Sequence, residues 1–142
     1  MHPTAEDIYV AARAFIGVRW RHQGRTAPYG LDCVGLLIKT AHAVGLYQDF
    51  EFTAYKPHTN YEQFITTFRD QADEVPRLQA GPGMAVIIPT GGTAHCGLLG
   101  MKDGQVTLIH AYALRKKVVE EAWTVDWQSA CKAAFKLRGV DY

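Results

Sequence analysis

The chain has 142 residues, 48% of them apolar and 20% charged, with a formal net charge of +1 at pH 7 when the histidines are neutral. That length suits one domain, residues 1–142, with a core that needs no covalent staples. The charge balance excludes strong electrostatic recognition of nucleic acid or of an anionic membrane, and no apolar run is long enough to span a bilayer.

The first element starts at Thr4-Ala5-Glu6-Asp7, where Thr4 is a helix N-cap with acids in the first turn. Ile8, Ala11, Ala12 and Phe15 carry the helical spacing and Gly17 ends it. Residues Val18 to Leu31 are polar and glycine-punctuated, which predicts a loop. A second helix is expected from about Cys33 to Val44, with Leu36, Leu37, Ala41 and Val44 inward and Gly45 as its stop. A third should run from Tyr61 to about Ala72, with Asn60 and Gln63 as a capping pair, and Pro76 halts the chain.

Beyond Gly81-Pro82-Gly83 the pattern becomes that of short strands: Met84 to Ile88, Ala94 to Leu99, Val106 to Ala111, Lys117 to Glu120 and Ala133 to Leu137. Pro89-Thr90-Gly91-Gly92 and Lys102-Asp103-Gly104 supply turns between them. Helices first and strands afterwards imply an α+β fold, N-terminal helices packed on an antiparallel meander of about five strands. The basic cluster Arg115-Lys116-Lys117, followed by Glu120 and Glu121, reads as a solvated strand end.

Chemistry concentrates at Leu31-Asp32-Cys33-Val34-Gly35, where a loop becomes a helix and presents a cysteine at its N-terminus. The helix dipole there favours thiolate, the nucleophilic form. Two histidines follow, and the Asp103-Gly104 turn decides whether they can meet. With Lys102 opposite Gln105, His95 lies opposite Tyr112, and His110 projects from the same face, diagonal to His95. A two-residue slip would set the histidines directly opposite, whereas a one-residue slip would put them on opposite faces and separate them. Cys33 then attacks a carbonyl carbon, His95 serves as base and then acid, and His110 orients His95 through its other ring nitrogen. The backbone N–H of Cys33 and the amide of Gln23 are candidate oxyanion donors.

Alternation turns Cys96 to the face opposite His95, so Cys96 and Cys131 are expected as small core residues. Three cysteines cannot pair completely, and no C-x-x-C pair is present. We therefore expect neither a disulfide framework nor a metal site, and no cofactor. Singly, a cysteine opening a helix or a histidine on a strand is usually a packed side chain; it is the ordered trio that points to a cysteine hydrolase.

Asp32-Cys33-x-Gly35-Leu36, a glycine-proline lead into an apolar strand, His95-Cys96-Gly97-Leu98 and Ile109-His110-Ala111 together resemble the NlpC/p60 family of papain-like cell-wall peptidases, over about Gly17 to Tyr112. The segment Arg19-Trp20-Arg21-His22-Gln23-Gly24-Arg25 further resembles the stand-alone versions carried by tailed bacteriophages and prophages. The resemblance implies a papain-like fold and a peptidoglycan stem-peptide substrate, cut typically at the D-γ-glutamyl bond to diaminopimelate or lysine. It makes Cys33 the nucleophile, His95 the base and His110 the third polar residue. Trp20 takes the place of an aromatic, usually tyrosine, that lines the site, while Asp32 supports the site or contacts substrate, a role that helix capping explains equally well. It also implies other phage tail-tip proteins as partners.

The sequence departs from the family pattern at Val34, where serine is common, and at Met84, where aspartate is common. His22, His42 and His58 match no catalytic position, His22 being a candidate substrate contact. Met1 to Asp7 shows no basic region leading into an apolar one, as a signal peptide would; the expectation is a virion tail protein made in the bacterial cytoplasm. Two other readings remain open at this point: a structural tail-tip protein with vestigial catalysis, and an amidase or acyltransferase on the same fold.

Overall fold

A computed structural model describes residues 1–56 and 61–142. Helix α1 (Ala5–Arg13) begins as its sequence requires: the Thr4 hydroxyl accepts from Asp7 N–H at 3.2 Å, and the Asp7 carboxylate accepts from Thr4 N–H at 2.8 Å. Its inner face buries Ile8 and Ala12 completely. The chain then turns through Gly17, whose φ of +91° suits glycine best.

The stretch expected as a plain loop contains a small antiparallel hairpin, β1 (Arg25–Thr26) with β2 (Gly30–Leu31), and Trp20 bridges to Leu31. Its two-residue strands carry no alternation, so nothing local announced them. They exist because the loop is folded down onto the start of helix α2 (Cys33–Ala43). A side chain at Gly35 would place its Cβ 2.1 Å from the Gly24 carbonyl oxygen, so the glycine two residues after Cys33 permits this close approach.

Within α2, Leu36 and Ala41 are buried as expected. Leu37 and Val44 are only half-buried at the edge of the core, and Leu37 lines an apolar groove of about 70 Å³ with Phe50 and Phe68. Helix α3 (Tyr61–Gln71) matches the expected span and buries Phe64 and Ile65. Asn60, expected as its cap, and His58 lie outside the described residues.

Helix α3 leads directly into β3 (Ala72–Val75), which the sequence pattern did not signal. Ala72-Asp73-Glu74-Val75 has the charges of an edge strand, and only its pairing with the last strand defines it. The remaining strands are β4 (Ala85–Ile87), β5 (Cys96–Lys102), β6 (Gln105–Tyr112), β7 (Lys117–Ala122) and β8 (Ala133–Leu137). Between β7 and β8 lies a short helix, α4 (Val125–Ala130), also unanticipated.

Among the described residues the main sheet has six strands in the order β3-β8-β4-β5-β6-β7, antiparallel at every pairing. The α+β class expected from the sequence is therefore found. The meander is limited to β4 through β7, because β8 inserts between β3 and β4. The β5–β6 register follows the Asp103-Gly104 turn, with Lys102 opposite Gln105 and φ of 52° and 78° at the two turn residues.

One sheet face receives α1 and α2 and contains Leu36, Leu98, Ile109 and Phe135, all fully buried. Each such side chain contributes about 1.5–3 kcal/mol relative to exposure. The other face carries Val86, Leu99 and Leu108 beneath Trp123 and Trp127. No helix among the described residues is long and apolar enough to cross a membrane.

Candidate active site

Cys33 is the first residue of α2, and Asp32 before it is the cap, accepting from Gly35 N–H at 2.8 Å. Asp32 accepts three further hydrogen bonds: from Gln23 N–H at 2.7 Å, Arg25 Nη1 at 3.0 Å and the Tyr55 hydroxyl at 2.5 Å. The carboxylate is 2% exposed and its oxygens are occupied by donors of the protein itself. Its role here is to lock the loop, the helix start and Tyr55 together. Burial, and then the negative charge of Asp32, raise the Tyr55 hydroxyl far above its ordinary range, so Tyr55 stays a donor.

A cleft of about 360 Å³ opens over Cys33. One wall holds Trp20, His22 and Tyr55; the other holds His95, Tyr112 and the turn after Pro89. Cys33 is 9% exposed at its floor and His95 7%. His22 and Trp20 thus stand where a bound ligand would meet them, His22 resting edge-on against Tyr55 with ring centroids 5.6 Å apart.

The histidine pair assembles through the register read from the sequence. His95 enters the sheet just before β5, its carbonyl accepting from Ile88 N–H at 2.7 Å. His110 lies on β6 opposite Val119. His95 Nε2 and His110 Nδ1 are 2.7 Å apart, and the Tyr112 ring stacks on His110 with centroids 4.8 Å apart. Gly97 sits opposite His110, where an added Cβ would fall 3.1 Å from the His110 Cβ and 2.8 Å from a Leu108 methyl. The small residue after His95-Cys96 is thus a space requirement of the histidine pair.

Cys96 faces the core and is fully buried, as alternation required. That core position is directly against Cys33, a proximity the sequence reading did not anticipate. The neighbouring Cys96 thiol favours the thiolate form of Cys33. This is the largest influence on Cys33; burial opposes it, and a hydrogen bond and positive charge from His95 add to it. The net effect pushes Cys33 from 9.0 down to about 5, so it is a thiolate at neutral pH. Burial drives the Cys96 thiol well above its ordinary value and keeps it protonated. Cys131 is buried separately, its thiol directed at the Ala133 carbonyl.

The structure does not bring the Gln23 amide to Cys33. The Gln23 Nε2 donates instead to the carbonyls of Thr53 and Tyr55, at 2.8 and 3.0 Å. The left-handed backbone of Gln23, φ 56°, aims its N–H at Asp32 and swings the side chain to the 53–55 loop. Of the two oxyanion donors expected, the Cys33 backbone N–H keeps its place at the helix start.

Beyond His110 the chain of polar groups continues. His110 Nε2 lies 2.8 Å from Glu121 Oε2, and the Trp127 indole N–H donates to Glu121 Oε1 at 3.1 Å. Neighbouring Glu120 points to the opposite face, paired with Arg13 at 2.8 Å and the Thr107 hydroxyl at 2.6 Å. The basic cluster Arg115-Lys116-Lys117 before them is exposed at the start of β7, as the charge pattern suggested, whereas these two acids are half-buried and paired. The signal that would have found Glu121 is the β6–β7 register, which puts it diagonal to His110.

No family model matches this sequence, and no curated protein does. Solved structures do. The NlpC/p60 domain of the peptidoglycan hydrolase SagA superposes with a TM-score of 0.66 at 19% identity, over 94% of this chain and 99% of that one. An NlpC/P60 family protein from Bacillus cereus gives 0.67 at 15% identity, over 96% of this chain but 41% of its own. The peptidoglycan hydrolase RipB from Mycobacterium tuberculosis gives 0.61 at 18%, over 97% of this chain and 65% of its own. The chain has the NlpC/p60 fold, as its motifs led us to expect.

Proposed function

From an NlpC/p60 fold with a cysteine and two histidines converging in one cleft, we propose that this protein is a cysteine peptidase acting on the peptide stems of bacterial peptidoglycan. The observation that carries the reading is the Cys33–His95–His110 line, built from one helix start and two neighbouring strands. Each of these residues alone has an ordinary structural explanation. Their alignment in a cleft, with a thiolate held at neutral pH, matches what acyl transfer needs.

The reaction follows from the geometry. The Cys33 thiolate attacks the carbonyl carbon of the scissile amide, and the backbone N–H of Cys33 meets the developing oxyanion. His95 gives its proton to the departing nitrogen as the C–N bond breaks, leaving a thioester on Cys33. Neutral His95 then removes a proton from water, which attacks the thioester and releases the acid and the Cys33 sulfur. His110 holds His95 in orientation throughout. Trp20, His22 and Tyr112 form the walls that position the stem peptide.

Support for the substrate comes from the fold neighbours, among which SagA and RipB are described as peptidoglycan hydrolases. The finer assignment, cleavage of the D-γ-glutamyl bond to diaminopimelate or lysine by a component of a phage or prophage tail, rests on the sequence motifs around Arg19–Arg25 and Cys33. The test is digestion of purified muropeptides by wild type and Cys33→Ala, with products weighed by mass spectrometry. New amino and carboxyl termini at one stem bond from wild type alone are expected, and the masses name the bond. Cleavage by both proteins alike would overturn the proposal.

A further inference from the structure

The line of polar groups runs past the histidine pair, and its far end determines how protons are arranged along it. Glu121 is one-third exposed at its side chain, on β7 diagonal to His110. Its two oxygens have different partners: Oε1 receives the Trp127 indole N–H at 3.1 Å, and Oε2 lies 2.8 Å from His110 Nε2. A carboxylate only accepts, and an indole N–H only donates. His110 Nε2 therefore carries a hydrogen.

His110 is fully buried. Burial, with the charge of His95 beside it, pushes it down to about 4, so near neutral pH it holds one proton. With that proton on Nε2, its Nδ1 is bare and accepts from His95 Nε2–H across 2.7 Å. His95 Nδ1 is then the nitrogen that remains to take the proton of Cys33. In the opposite tautomer His110 Nδ1–H would donate to His95 Nε2, and neutral His95 would turn an N–H, with no lone pair, toward Cys33.

We propose that Glu121, itself held by Trp127, is a positioning residue that fixes the His110 tautomer and thereby makes His95 Nδ1 the proton acceptor for Cys33. The proton leaves the Cys33 sulfur for His95 Nδ1, and the bonds His95–His110–Glu121 keep their direction as it does. Trp127 reaches Glu121 because α4 begins at Thr124, whose hydroxyl caps the Trp127 N–H at 3.3 Å. The charged and titratable groups facing this end of the line are His95, Tyr112 and Arg115. The inference rests on the assignment of Cys33, His95 and His110 as the reacting line, but its test needs no peptide substrate.

The experiment is the rate of Cys33 alkylation by iodoacetamide against pH, resolved by mass spectrometry for each cysteine, in wild type, Glu121→Gln, Trp127→Phe and the double variant. A glutamine at 121 has one acceptor for two donors, so with Trp127 present its amide N–H₂ turns to His110 and selects the wrong tautomer. In Glu121→Gln the alkylation midpoint should rise by at least one pH unit, about a tenfold slower reaction on the acidic side. Removing the competing indole frees the glutamine oxygen for His110, so the double variant should return to within about threefold of Trp127→Phe alone. A midpoint in Glu121→Gln equal to wild type overturns the proposal. So does a double variant worse than both singles with Cys96 and Cys131 newly alkylated, because that marks a purely structural role. A shifted midpoint in a protein that cleaves no stem peptide would leave this inference standing and remove the hydrolase reading instead.

Discussion

His95 and His110 meet nitrogen to nitrogen, Nε2 to Nδ1 at 2.7 Å, from two strands joined by a two-residue turn. Two rings so placed share one hydrogen, so the protonation of either is a property of the pair. His110→Ala deletes the group that orients His95. It should lower kcat on a stem peptide by about a hundredfold with KM nearly unchanged, as for a residue acting on the transition state. A loss under threefold in initial-rate measurements would remove His110 from the machinery.

The Cys96 thiol, beneath Cys33, is the largest lowering influence on the nucleophile. A lowered value means that thiolate persists to more acidic pH, and reactivity is lost only as pH falls through about 5. Cys96→Ala removes that thiol and should move the alkylation midpoint of Cys33 upward by a unit or more, whereas Cys96→Ser retains a donor and should stay close to wild type. Equal midpoints in Cys96→Ala and wild type would show that Cys96 is filler only.

Gln23 separates the two sources of oxyanion stabilisation named from the sequence. Its amide binds the Thr53 and Tyr55 carbonyls and not the reacting centre. Gln23→Ala should therefore cost about 1–2 kcal/mol of stability for two lost hydrogen bonds. Turnover per folded molecule should stay within about threefold, since loss of an oxyanion donor would instead cost about a hundredfold or more. Urea denaturation and active-site-titrated rates measure the two quantities.

Asp32 joins the helix cap to the ion pair with Arg25 and the bond from Tyr55. Asp32→Ala leaves a largely buried guanidinium short of a partner as well as an uncapped helix, and should destabilise the fold by about 3 kcal/mol or more. Asp32→Asn, which keeps acceptors, should cost clearly less by denaturant unfolding. Equal losses would mean that the charge of Asp32 dominates over its hydrogen bonds.

Much of the site was legible because it depends on local rules. Asp32 before an apolar stripe marks a helix start, and Asp103-Gly104 fixes a register that carries His95 to His110 without any knowledge of the rest. Features needing distant partners were not legible. Strand β3 shows only Asp73 and Glu74 flanked by small apolar residues, and its identity comes from β8, more than fifty positions later. Glu121 stood unremarked after the basic run Arg115 to Lys117, because its meaning depends on which β7 residue faces His110. Gln23 was misplaced for a smaller reason: a left-handed φ at one loop residue reverses where a side chain points, and glutamine gives no warning of it.

The central claim is covalent, and intact-mass measurement tests it most directly. Wild-type protein mixed with a stem peptide and quenched in acid within the first turnovers should carry the mass of the acyl fragment on Cys33, with an equal amount of the amine product released. Peptide cleavage with no adduct on Cys33 at any quench time, retained in Cys33→Ala, would contradict the account.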